Sequence, residues 1–327
     1  LNSILYLIIS LWIIFKTGRS YNDSTNHLLL TDQLKYGAPL ALSTFLWLLG
    51  REIDKYIVAH FLSPSELAIY ARGAVEIPLV HILASTIAQV HLVNWVRMYD
   101  SNDFEALIKH WHSTVIRTSK ILFPIFVLFE IIGRDFIVML YSDKYLESVH
   151  VFNVYLFLLP LQITSYVSIV QVTGKNRFIV YGYLLQILMN LVISINLIKS
   201  AGYTGVALTS VITMYLWTFY ILKVIGRVLK LGLKDAFPWA VLMKGLFLSF
   251  IAGIVPAIVS YELGQNPNWN LSLTNIEFNI FVKMSIVSLV YFSIYLIILY
   301  KLKLFDEEEK EILRRWLMIS KWRTKAI

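Results

Sequence analysis

The chain has 327 residues, of which 57% are hydrophobic and only 15% charged, and its mean hydropathy is +0.66. Soluble domains carry about a quarter charged residues, so an ordinary soluble fold is excluded. The lack of cysteine removes disulfide scaffolds and thiol-ligated metals, and the net charge of +8 sits in short connectors between apolar blocks, which fits topology signals facing anionic lipid and not a nucleic-acid patch.

The apolar blocks are about 20 residues long, enough to cross a hydrocarbon core ~30 Å thick. Nine candidate spans follow in order: 1–15, 36–62, 66–96, 115–141, 148–173, 178–198, 204–225, 238–261 and 277–300. The expected fold is therefore an all-α polytopic membrane bundle. The first block lacks a basic flank and a cleavage site, so it reads as a transmembrane helix of a chain that starts upstream and not as a signal peptide.

Basic and non-basic connectors alternate. Lys16, Arg19 and Lys35 precede the second span, and residues 63–65 carry no Lys or Arg. Arg97 and Lys109 follow, then Lys144 beside Asp143 and Glu147, then Lys175 and Arg177, then Lys199 alone. Lys223, Arg227, Lys230 and Lys234 come next, then residues 262–275 without a basic side chain, then a basic tail. By the positive-inside rule this puts the C-terminus in the cytoplasm and the start of the chain outside. Two stretches read as amphipathic helices on the cytoplasmic leaflet: residues 103–112, and the tail from Asp306, with Ile312, Leu313, Trp316 and Ile319 as its apolar stripe. A solvated helical extension is the alternative for both.

The second span holds the strongest polar feature. Arg51, Glu52, Asp54 and Lys55 interrupt an apolar helix. At ~100° per residue they fall in an arc of about 160°, with Leu49, Ile53 and Ile57 opposite. They lie about 22–29 Å along the helix from Tyr36 at ~1.5 Å per residue. Intramembrane charges usually face a bundle interior or a wet cavity, so a polar cavity for an anionic cargo is one reading. A self-neutralising cluster near the outer interface, with Lys55 snorkelling, is the other. The third span adds Arg72 and Glu76 on one face, then Pro78, where the helix is expected to kink. Its histidines His81 and His91 read as buried hydrogen-bond partners. Asn153, Gln162, Gln171, Gln186 and Asn190 read as interhelical hydrogen-bond glue or as contacts to sugar hydroxyls. Lys244 and Lys283 are expected to snorkel. No phosphate loop, nucleophile elbow or zinc-protease motif is present in the sequence, so no catalytic residue, cofactor or metal is expected.

Residues 36–89 resemble the opening of the second lobe in bacterial polysaccharide flippases of the multidrug/oligosaccharidyl-lipid/polysaccharide exporter superfamily. The residues that carry this are Tyr36-Gly37-Ala38-Pro39-Leu40, then Arg51-Glu52-Ile53-Asp54-Lys55-Tyr56-Ile57-Val58, then Phe61-Leu62-Ser63-Pro64-Ser65-Glu66-Leu67-Ala68-Ile69-Tyr70. Gly174-Lys175-Asn176-Arg177 and Ala201-Gly202-Tyr203-Thr204-Gly205-Val206-Ala207 resemble later turns of the same lobe. The resemblance implies a fourteen-helix architecture of which this chain is the C-terminal portion. Residues 1–15 would be the last helix of the first lobe, 16–35 a cytoplasmic connector, 36–230 a six-helix second lobe, 238–301 two further helices and 302–327 a cytoplasmic amphipathic tail. It implies flipping of an undecaprenyl-diphosphate-linked oligosaccharide across a bacterial inner membrane by alternating access. Arg51, Lys55 and Arg72 are the candidate cations for the diphosphate. Glu52, Asp54 and Glu76 are candidates for charge balance or for coupling to H+ or Na+. A lipid II flippase, a multidrug exporter and an integral membrane polymerase or ligase are the competing readings.

Overall fold

The computed structural model describes residues 26–75, 77–265, 276–306 and 309–311. Among them every regular element is helical, and no strand occurs. Helix α1 spans Asn26–Phe61, α2 Pro64–Gly73, α3 Pro78–Asp100 and α4 Phe104–Tyr141. Helix α5 spans Ser148–Leu156, α6 Tyr166–Val172, α7 Arg177–Val228, α8 Trp239–Gln265 and α9 Ile276–Lys301. Among the described residues, four helical stretches are long and apolar enough to cross a membrane: Ser148–Val172, Arg177–Val228, Trp239–Gln265 and Phe278–Lys301. The chain is thus a helical membrane protein. Helices α1, α3 and α4 have the length as well, at 36, 23 and 38 residues, and α1 and α4 carry more charge. The candidate span at 1–15 and the apolar stripe of the tail lie outside the described residues.

Several expected spans are divided in ways their residues explain. The third breaks completely between α2 and α3. Ser63 caps α2 with a reciprocal Ser63–Glu66 box, which satisfies two of the N–H groups that a helix start leaves unpaired. Pro78 then opens α3, where its missing N–H costs no hydrogen bond. The fifth bends through a 3-10 turn at Leu159–Ile163 that contains Pro160. The sixth and seventh form one element, α7, folded back at Gly202, whose φ of 57° and ψ of −147° suit glycine alone. Its two arms face each other: the Tyr183 and Trp217 rings stack 5.0 Å apart, and the Tyr220 hydroxyl donates to the Phe178 carbonyl at 3.1 Å.

The amphipathic stretch at 103–112 does not lie separately on a leaflet. Asp103 caps α4 by accepting from the Ala106 N–H at 3.0 Å, and the helix runs on without interruption. Leu107 and Trp111 are fully buried because they pack into the main core. The acidic start of the tail is likewise drawn onto α4: Asp306 pairs with Arg117 at 3.0 Å and Glu309 with Lys120 at 2.7 Å. The helix at the second span begins at Asn26, inside the stretch read as a connector.

Two groupings result. Helix α1 packs most extensively on α7, and α2 packs on α5. Helices α8 and α9 form a hairpin against α4, where Gly253 faces Val127 and the Tyr291 hydroxyl donates to the Ser249 carbonyl at 3.1 Å. Lys283 does not snorkel; its ammonium meets Asp135 of α4 at 2.8 Å.

Close approach of α2 to α5 depends on Gly73. A Cβ there would stand 2.5 Å from both the Ser148 carbonyl oxygen and the Val151 Cβ. Gly73→Ala is expected to force these helices apart and to cost about 1–3 kcal/mol, the usual range for overpacking. Thermal unfolding of the detergent-solubilised protein measures this, and an unchanged midpoint contradicts the tight contact.

Candidate functional site

The buried face of α1 is not the face that the charge pattern suggests. Asp54 is 4% exposed, and Ile57 and Val58 are buried beside it, whereas Arg51 and Glu52 are exposed. The four charged residues therefore separate. Lys55 turns to Glu52, with Nζ 2.8 Å from Oε2, in a pair whose side chains remain 32% and 50% exposed. Arg51 lies over the Trp47 ring, 5.0 Å from its centroid.

Asp54 points inward and collects hydroxyl groups from three other helices. Tyr70 of α2 donates to its Oδ2 at 2.8 Å. Tyr155 of α5 donates to the same oxygen. Ser210 of α7 donates to it at 3.3 Å. The Tyr70 and Tyr155 hydroxyls are 2.8 Å apart, and their rings meet edge to face at 6.2 Å. A buried carboxylate is costly unless donors satisfy it, and here each donor comes from a different element.

The network continues along α7. The Asn190 amide donates to Ser210 at 3.2 Å and to Thr213 at 3.3 Å, and Ser194 donates to the Asn190 oxygen at 3.2 Å. Asn190 therefore holds the two arms of α7 together. This decides its role in favour of glue. Gln186, one turn earlier, turns elsewhere.

Gln186 borders a cavity of about 610 Å3. Arg51 and Asp54 line it, together with Gln89, Gln162 and Gln171. Ser43, Thr44, Thr164, Ser165 and Ser210 add hydroxyls, and Trp47, Tyr155, Tyr166, Tyr183 and Trp217 add aromatic surface. Among the described residues, the Trp217 indole N–H has no hydrogen-bond partner, although Trp217 is 5% exposed. The size lies within the ~300–1,000 Å3 of small-molecule sites.

The remaining candidates lie elsewhere. Glu52, Lys55 and Arg72 do not line the cavity. The Arg72 guanidinium stacks over Tyr141 at 4.8 Å and Tyr145 at 5.7 Å. Glu76 falls outside the described residues. The sequence reading missed the donors Tyr70 and Tyr155, since a tyrosine in an apolar helix has no signal of its own. The recurrence of polar side chains in successive spans was the one available clue to the cavity wall.

Part of the chain matches a known family. Residues 1–150 match a family described as "Polysaccharide biosynthesis protein". That segment contains Arg51, Asp54 and Tyr70 and stops short of Tyr155 and Ser210. No curated protein matches the chain.

The Asp54 cluster is testable by a double-mutant cycle. Tyr70→Phe is expected to cost about 1–3 kcal/mol. Combined with Asp54→Ala it is expected to show a coupling energy of about 0.5–3 kcal/mol. Chemical unfolding in detergent reads both, and strict additivity contradicts a direct bond.

Proposed function

We propose that this chain is part of a transporter that flips a lipid-linked oligosaccharide for polysaccharide synthesis, and that the Arg51–Asp54 cavity holds the head group. The observation that carries this is the composition of the cavity wall. Glutamine amides and hydroxyls suit sugar hydroxyls, which both donate and accept hydrogen bonds. Flat aromatic rings offer apolar faces for the C–H surfaces of a pyranose, with polar edges for orientation. The unpartnered Trp217 N–H is a further donor for an oxygen-rich ligand. Arg51, a permanent cation at the cavity wall, suits a phosphate by charge and by its forked geometry. The family match over residues 1–150 supports a role in polysaccharide biosynthesis.

In this reading the chain crosses a bacterial inner membrane nine times, with a cytoplasmic C-terminus. The alternating basic connectors support that topology. Arg51 takes the diphosphate while the lipid tail stays in the bilayer. Asp54 fixes the helices that form the wall, and its carboxylate is the acidic group placed to couple with an ion. Lys55 and Arg72 leave the substrate role, because each is engaged away from the cavity. The breaks at Gly73–Pro78 and Leu159–Ile163 give the bundle discontinuous helices of the kind that form substrate sites in transporters.

Cells deleted for the gene and complemented with variants test this. Arg51→Ala is expected to lower surface polysaccharide by about tenfold or more, the effect of losing one charge-assisted contact. Arg72→Ala, at equal protein level, is expected to leave it near wild type. Equal polysaccharide from both variants and the wild type contradicts the cationic cavity site.

A further inference from the structure

A second polar site lies outside the cavity, on the far half of α4. Glu130, Arg134 and Asp135 stand there in an otherwise apolar stretch. Asp135 is neutralised by Lys283 of α9 at 2.8 Å. Glu130 and Arg134 are left, one helical turn apart on the same face. Among the described residues, Glu130 Oε1 is enclosed and has no hydrogen-bond partner, and no ion pair joins Glu130 to Arg134 or either of them to another side chain. Both border a groove of about 600 Å3 between α4 and the α8–α9 hairpin. Ser260 and Tyr261 place hydroxyl-bearing side chains along it, and Phe250 and Ile254 form an apolar flank that is 46% and 58% exposed.

We propose that this groove binds the head group of a membrane phospholipid that carries a primary ammonium, its phosphate on Arg134 and its ammonium on Glu130. The charges decide the ligand. An unpaired guanidinium and an unpaired carboxyl group, a single turn apart, complement a zwitterion and not a simple anion. The Asp135–Lys283 pair also lines the groove, and its two charges offset each other. Glu130 lacks a hydrogen-bond donor: a primary ammonium supplies three, and a trimethylammonium supplies none. Charge-assisted bonds of this kind are about twice as strong as neutral ones. The exposed Phe250 and Ile254 surface then lies against the acyl chains. The inference rests on the membrane reading alone and is independent of the saccharide cavity.

The test is native mass spectrometry of the full chain in detergent, titrated with dioleoyl phosphatidylethanolamine, its mono- and dimethyl derivatives, phosphatidylcholine and phosphatidylglycerol. The wild type is expected to retain the ethanolamine lipid about tenfold better than the choline and glycerol lipids, the ratio that ~1.4 kcal/mol sets, with retention falling at each methylation. Glu130→Gln is expected to level the methylation series, and Arg134→Gln to weaken all the zwitterionic lipids together. Equal retention of all five lipids by the wild type overturns the proposal, as does a methylation series unchanged in Glu130→Gln. Both results leave polysaccharide complementation unaffected, so they separate this inference from the transport reading.

Discussion

One buried carboxylate organises the first part of this bundle. Asp54 sits on the buried face of its helix, with Leu46, Ile57 and Val58. An unsatisfied acidic group in such surroundings costs several kcal/mol or more. The chain meets that cost by bringing Tyr70, Tyr155 and Ser210 to the same oxygen from three helices. The bond thereby specifies which faces of α2, α5 and α7 meet α1. Apolar packing alone does this weakly within a bilayer, since lipid tails are as apolar as the side chains they would exclude.

Small residues let the helices come close enough for these bonds to form. Gly50 of α1 lies against Gln186 and Ile187 of α7. Gly73 brings α2 onto α5, and Gly182 admits the Tyr220 and Trp217 rings between the arms of α7. The polar chain from Ser194 through Asn190 and Ser210 to Asp54 then runs along the seam. The cavity opens beside this seam, and the groups that stabilise the bundle are continuous with those that line it.

The class of fold was legible because apolar blocks of membrane length are a strong signal. Pro78 marked the place where the third span is interrupted, and the turn containing Gly202 the place where α7 folds back. The orientation of α1 was not legible. A helical wheel sets charge against apolar bulk, so it placed Asp54 with Glu52 and opposite Ile57; the structure buries Asp54 with Ile57 because hydroxyl donors arrive from far along the chain. Long-range pairs were hidden for the same reason. Nothing local to Lys283 announces Asp135, and nothing near Asp306 announces Arg117. At 103–112 the alternative of a helical extension holds, but a polar, charged surface concealed Leu107 and Trp111 as core residues of α4.

The account assigns Asp54 the task of holding α2 and α5 on α1 and α7, and the cavity depends on that arrangement. Hydrogen–deuterium exchange of Asp54→Asn against wild type, resolved by peptide, measures it directly because exchange reports local opening. Faster exchange is expected in α2, α5 and the Ser210 arm of α7, with the α8–α9 hairpin unchanged. Unaltered protection in α2 and α5 would contradict it.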